Sequence, residues 1–500
     1  MKKLFVLITV FVLLAFSCDG DGLGSSDKQR HFYAYDIVNN TQYRIVANLL
    51  AENNLCEIWV ENGLSITAAQ AGAIANTYRN TIYPKMADAL FWEVEFDDVG
   101  YVNTMQFASL LTGGNGKLII LILDIRCGSV GLSSVAGYFA PWHFYDQAGS
   151  NKANMVFMGH HLVGTQDFHI TLAHEMQHLM NFVTSLLLVY NDSRPGLMDT
   201  WIDEGLSEAT EWIVFGTQNQ DRVNWYNNDP TGLIAQGDTF YVWQNYDDLD
   251  PDAVMNDYAT VNIFFQWFRM MTNNNIYRNI LFAPFSDYRA LSELLDSVTW
   301  AEIMEDWHLA NFINHPYNAH GYRNDSVLKN IKAHYLWYDD DFQFPLAPGE
   351  AVYTYLQSGS FNTNISSANI GYAGIASNKE IVQNISAGGT LLTFSKSTIN
   401  SKNTFHHGYI TGQLPPSTSV LSSVRDNRSL TSRSYNISAA DMLRRRGIVN
   451  NHFDTLSMPD KNEFRKRFSF SPGTEGLRPY NKLGIYTEQL FPADSRYTLR

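Results

Sequence analysis

His174-Glu175-Met176-Gln177-His178 places two imidazoles four residues apart with a carboxylate beside the first. On a helix, residues four apart share a face. The preceding run Phe168-His169-Ile170-Thr171-Leu172-Ala173 leans apolar, as a helix leading into the motif would. Both rings then point the same way and can share one metal ion. Glu175 falls next to that ion, where it can take a proton from an activated water. Zinc suits the arrangement: two neutral imidazoles, a third protein ligand and an open position.

A second segment supplies the missing carboxylate. Asp199-Thr200-Trp201-Ile202-Asp203-Glu204-Gly205-Leu206-Ser207-Glu208-Ala209-Thr210-Glu211 reads as an amphipathic helix. Glu204 and Glu208 lie four apart on one face. One completes the metal site. The other accepts the free ring N–H of a ligand histidine and fixes its tautomer.

The two segments together resemble the signature of the gluzincin metallopeptidases, the thermolysin-like clan: H-E-x-x-H followed by W-[IL]-[DN]-E-G-L-[SA]. Thr171 to Phe182, with Trp201 to Glu208, is most similar to the hyicolysin family of secreted bacterial peptidases. The resemblance implies His174, His178 and Glu204 as zinc ligands and Glu175 as general base. It implies that Glu208 supports the first histidine. The 25 residues between His178 and Glu204 fall within the clan's variable spacing. The likeness spans about residues 30 to 320 and is strong at the two motifs. It implies an α+β thermolysin-like domain, a mixed sheet followed by a helical subdomain.

Such a site hydrolyses peptides through Glu175, which accepts a proton from water and delivers it to the leaving nitrogen. Tyr258, in Asp257-Tyr258-Ala259-Thr260-Val261-Asn262, is the candidate donor to the oxyanion. Its segment resembles the tyrosine-led helix that follows the third ligand in related aminopeptidases. The expected activity is a zinc-dependent endopeptidase acting on protein or peptide. An aminopeptidase with the same metal site is the first alternative, but no G-x-M-E-N-type motif is present to hold a free amine. A non-catalytic adhesin or binding lipoprotein on a peptidase scaffold is the second. The intact H-E-x-x-H and Glu204 argue against it.

Around these motifs, the pattern predicts which elements position them. Thr67 onward opens a helix running towards Ala89 despite Pro84. Leu118 to Leu123 is a buried strand. Asn154 to Met158 is another, expected at the sheet edge near the site, where an extended peptide can pair with it unless its own chain covers it. Segments near 167–190, 200–216, 258–273, 287–298 and 299–315 have helical spacing. His160, His161 and His169 lie near the motif and read as surface or core residues, with a place lining the cleft as the alternative.

The N-terminus reads as an export signal. Met1-Lys2-Lys3 is basic, Leu4 to Phe16 is an uncharged apolar run, and Ser17-Cys18 follows. The run is short for a membrane span. Cys18 resembles a loose bacterial lipobox, with Leu14 one position early and bulky Phe16. Residues 1–17 are then a signal peptide, 18–30 a lipidated cysteine with a flexible Gly/Ser/Asp tether, and 31–340 the zinc peptidase domain. Localisation follows as a bacterial envelope lipoprotein, membrane-held through Cys18, or a secreted protein if Cys18 is not lipidated.

Composition fits a globular protein: 45% hydrophobic, 17% charged, net charge −15. That charge argues against nucleic acid as a partner. Besides Cys18 there are Cys56 and Cys127, either a disulfide or two free thiols. A linker near Pro345-Leu346-Ala347-Pro348-Gly349 leads to residues 350–500, which read as a β-rich accessory domain. Residues 351–500 have 17 Lys and Arg against 9 Asp and Glu, a net +8, so the rest of the chain carries −23. Its basic points, Arg444-Arg445-Arg446 and Arg465-Lys466-Arg467, suit an anionic envelope or matrix, plain solvated surface, or docking on the acidic domain.

Overall fold

The computed structural model describes residues 28–398 except 38, 40, 97–99, 127–134, 244–253, 337–344, 347 and 365–368, together with 410–411, 478–479 and 495–497. Cys18, Cys127 and both arginine-rich triplets lie outside the described residues.

The chain begins with β1 (Gln29–Asp36), β2 (Thr41–Glu52) and β3 (Cys56–Glu61). Helix α1 (Ala68–Thr77) follows, then a π-helical turn at Tyr78–Ile82, then α2 (Tyr83–Leu90). The sequence predicts one helix here. The wider turn lets Pro84 fall in the first turn of α2, where its missing N–H is not needed. Next come β4 (Trp92–Phe96), β5 (Gly100–Asn103), α3 (Thr104–Thr112), β6 (Leu118–Leu123), β7 (Gly137–Tyr138) and β8 (Met155–Gly159).

Six of these strands form a sheet in the order β1-β2-β3-β6-β8-β7. Strands β3, β6 and β8 are parallel, and the flanking pairs are antiparallel. Every residue of β6 is buried. That explains its unbroken Leu/Ile sequence, because both faces of the sheet are covered. Leu118, Ile120 and Ile122 face the helices with Val156 and Met158. Ile119, Leu121 and Leu123 face the other side with Phe32, Trp59 and Phe157. The expected edge position of β8 is corrected: β8 is one strand in, and among the described residues β7 is the edge. Gly137 makes that close approach possible. A Cβ there would lie 2.9 Å from Phe157 O, 2.9 Å from Thr171 Cγ2 and 3.1 Å from Glu175 Cγ.

The helical part comprises α4 (Gln166–Tyr190), α5 (Thr200–Glu208), α6 (Thr210–Phe215), α7 (Gln220–Asn228), α8 (Val254–Met271), α9 (Ile276–Phe282), α10 (Arg289–Ser292) and α11 (Trp300–Ile313). Helix α4 starts at Thr165, whose hydroxyl accepts from the Phe168 N–H. Its apolar second half, Thr184 to Tyr190, is buried in the core. No helix among the described residues is long and apolar enough to cross a membrane. Of the helix expected at 287–298, only Arg289–Ser292 is α-helical. Asp287 draws back the Arg289 backbone and guanidinium, and the Leu294 and Leu295 amides bond three residues back. Helices α7 and α9 are not foreseen by the sequence reading.

After α11 come β9 (Tyr335–Leu336), β10 (Pro345–Leu346), β11 (Ala351–Tyr355), β12 (Ser360–Asn362), β13 (Ile370–Ile375), β14 (Ile381–Val382), β15 (Asn384–Ser386) and β16 (Thr390–Ser395). A five-stranded sheet, β14-β13-β16-β11-β9, packs Tyr353, Ile375, Leu392 and Phe394 against Leu309 and Ile313 of α11. The β-rich character expected after the linker is therefore present over 351–395. Farther on, Arg478–Pro479 pairs with β4. Tyr497 is buried in the main core, its hydroxyl donating to Asp306 Oδ2 at 2.9 Å.

Candidate metal centre

Three elements bring the predicted residues together. Helix α4 carries His174, Glu175 and His178, α5 carries Glu204 and Glu208, and α8 carries Tyr258. Helix α5 lies close on α8 because residue 205 has no side chain: a Cβ there would meet the Phe265 ring at 2.2 Å. The same contact presents Glu204, one residue earlier, towards α4.

His174 Nε2 and His178 Nε2 are 3.1 Å apart, and Glu204 Oε2 is 3.4 Å from each. Ligands about 2.0–2.1 Å from a tetrahedral zinc would be separated by about 3.3 Å. The triangle therefore fits that ion. Glu204 Oε2 is buried and accepts no hydrogen bond, an orphaned carboxylate oxygen that a cation would satisfy. Among the described residues, His174, His178 and Glu204 form the one group with metal-ligand geometry. Burial opposes charge on Glu204, but His178 and His174 hold its carboxyl well below the usual range.

The outer nitrogens of the histidines have unequal support. His178 Nδ1 is 3.0 Å from Asp203 Oδ2 and 3.2 Å from Ser207 Oγ. Asp203 is steadied by Asn181 Nδ2, which donates to its Oδ1 at 2.6 Å. His174 Nδ1 is 3.8 Å from Glu208 Oε1, beyond hydrogen-bond length. Glu208 instead takes two bonds from Arg222, at 2.9 Å to Oε2 and 2.7 Å to Oε1. Neither Asp203 nor Arg222 carries a role that the sequence predicts. Asp203 had a signal, being adjacent to Glu204 in the motif. Arg222, fourteen residues beyond Glu208, had none.

Glu175 is buried beside the two histidines. Burial raises its pKa, and His174 and His178 partly offset that. A raised carboxyl pKa moves towards the range useful to a general base. Tyr258 sits at least one turn inside α8, not at its head, since the chain is already helical at Val254. Its ring centroid is 6.3 Å from that of His174, with the Arg222 guanidinium carbon 4.9 Å from its centroid. Burial keeps the Tyr258 pKa well above 10, so the phenol remains a donor.

A cavity of about 490 Å³ opens here, lined by His174, Glu175, Tyr258 and Arg222, with Val135 to Gly137 of the edge segment on one wall. Trp243, Val254 and Met255 form part of an apolar wall. His160, His161 and His169 do not line it. His160 lies 3.8 Å from Asp124, just past the C-terminal ends of β8 and β6. Cys56 is a buried free thiol.

No family model matches the chain. It is 26% identical over 318 residues to the neutral metalloprotease ShpI of Staphylococcus hyicus, an overlap of 60% of this chain and 66% of that protein. The chain thus matches just under two thirds of its relative's length. This likeness and the His-His-Glu cluster support a metallopeptidase family.

Proposed function

We propose that the chain is a zinc-dependent endopeptidase of hyicolysin type. The observation that carries this reading is the convergence of His174 Nε2, His178 Nε2 and the unpartnered Glu204 Oε2, with Glu175 alongside. His174, His178 and Glu204 would hold the zinc. When bound, zinc supplies Lewis acidity, making water easier to deprotonate and a peptide carbonyl easier to attack. Glu175 accepts the water's proton and passes it to the leaving amine nitrogen. The Tyr258 hydroxyl donates to the oxygen on which negative charge develops. Asp203 fixes the His178 ring by accepting from Nδ1, leaving Nε2 free as a ligand atom. The edge strand β7 borders the cavity and offers backbone groups to an extended peptide.

The purified protein should contain about one zinc per chain, and His174→Ala should lose it. Glu175→Gln should keep zinc and fold while hydrolysis of a broad peptide mixture falls by at least roughly 10²–10⁴. A protein that binds no zinc at micromolar levels would sink the reading. Near-full activity in Glu175→Gln would move the base elsewhere.

The same proposal places the enzyme at a bacterial envelope, held by lipid on Cys18 after removal of residues 1–17. It rests on the basic start, the apolar run and the cysteine that follows. Each buried CH₂ of an acyl chain adds about 0.8 kcal/mol of membrane affinity. Mass spectrometry of the mature N-terminus decides it: an unmodified terminus, with protein free in the medium, makes the enzyme a secreted one.

A further inference from the structure

We infer that Glu211 is a specificity residue that selects peptides with a lysine or arginine side chain near the scissile bond, an assignment that rests on the peptidase reading above. Glu204, Glu208 and Glu211 stand at i, i+4 and i+7, two helical turns on one face. The break between α5 and α6 is slight, because Ala209 keeps a helical backbone at φ −69°, ψ −16°. At about 1.5 Å per residue, Glu211 lies about 10 Å along the helix from the proposed ligand Glu204. It lines the same cavity as His174 and Glu175.

The charges of that wall do not cancel. Arg222 is the basic residue of the lining; its Nε and Nη2 are engaged by Glu208, and its Nη1 lies 3.9 Å from Met255 Sδ. Glu211 accepts one hydrogen bond, from Thr217 Oγ1 at 3.3 Å, and has no ion pair among the described residues. Burial, with Glu208 nearby, pushes its carboxyl up to about 7. The site thus penalises a lone negative charge, and a guest cation would relieve the penalty. Ile170, Trp243, Val254 and Met255 line the same space and can cover an aliphatic stem.

Reach decides between the two cations a peptide offers. The free amine of an N-terminal residue lies about 2.5 Å from its own carbonyl carbon and cannot span to Glu211 when that carbonyl is at the metal site. A lysine or arginine stem extends about 6 Å beyond its Cα and can. The geometry therefore favours a side-chain cation.

The test compares peptides identical except for lysine or norleucine at positions flanking the cleaved bond. The zinc-loaded full chain should favour lysine by roughly 10–100-fold in kcat/KM, the worth of one charge-assisted bond. Glu211→Gln should bring the ratio towards one, and Glu211→Lys should turn preference towards glutamate. A second arm needs no turnover: Glu175→Gln protein, with and without Glu211→Gln, is titrated with the same peptides carrying a fluorophore. Tighter binding of the lysine peptide, lost with Glu211→Gln, is expected. Equal binding and equal cleavage of both peptides by the parent overturns the inference. So does a Glu211→Gln variant that weakens both peptides alike and keeps the ratio, which would mark a structural role. Absence of any cleavage counts against the peptidase reading alone, because the binding arm still judges Glu211.

Discussion

His178 Nδ1 has an acceptor at 3.0 Å in Asp203, whereas His174 Nδ1 has Glu208 only at 3.8 Å. A ligand histidine whose outer N–H is bonded is fixed in tautomer and orientation, and loss of such a partner typically costs about 10–100-fold in metal affinity. Asp203→Ala should therefore weaken zinc by that factor, measured by competition with a chromogenic chelator. Glu208→Ala should weaken it less, because Glu208 is first a partner of Arg222. The reverse order would show that Glu208 swings onto His174 when the ion is present. Glu204→Ala should abolish binding, since it removes a ligand atom and leaves only two imidazoles.

Helix α5 owes its place to Gly205. Any β-carbon there enters the Phe265 ring, so α5 must move off α8 and carry Glu204 with it. Gly205→Ala should cost about 1–3 kcal/mol of stability through overpacking. It should also weaken zinc, read from a thermal melt and a metal titration on the same sample. Unchanged values for both would mean that the Phe265 ring yields freely. Helix α11 carries a second feature, the half-buried Glu305. Burial, then Asp306 and Glu302, raise its pKa from 4.5 to about 7. Between those values the folded chain holds a proton that the unfolded chain has released. The resulting stability is full below about 4.5 and is lost as pH rises through about 7. Glu305→Gln mimics the protonated form, so its advantage over the parent should grow from pH 5 to pH 8, reaching roughly 1–3 kcal/mol. Parallel urea-unfolding curves at both pH values would assign no such effect to Glu305.

At the scale of the molecule, the C-terminal sheet is joined to the helical part through an apolar seam. Leu309 and Ile313 of α11 share one core with Tyr353, Ile375, Leu392 and Phe394. Tyr353 Oη also donates to His308 O at 2.7 Å. Removing residues 345–500 would leave that side of α11 uncovered and take Tyr497 out of the main core. The truncated protein should melt about 5–10 °C lower, the equivalent of a few kcal/mol for a domain of this size. An unchanged melt would make the sheet an independent appendage.

Some of this was fixed by local spacing. His174, Glu175 and His178 share a short helical segment, so their mutual geometry follows from 3.6 residues per turn. Trp201 to Glu208 supplies the next acidic helix by the same rule. The fully apolar β6 announces a covered parallel strand, and the alternating residues after the linker announce a sheet. Other features depend on what each element meets. Nothing in the sequence placed Gly137 and Tyr138 as the edge strand beside Glu175, because a two-residue strand has no periodicity to read. Nothing paired Arg222 with Glu208 or set Asp203 on His178, since those contacts arise from how α4, α5 and α7 pack. Whether a carboxylate on the acidic helix face meets a metal, an arginine or an open cavity was decided by tertiary packing: Glu204, Glu208 and Glu211 share one stripe and have three different surroundings.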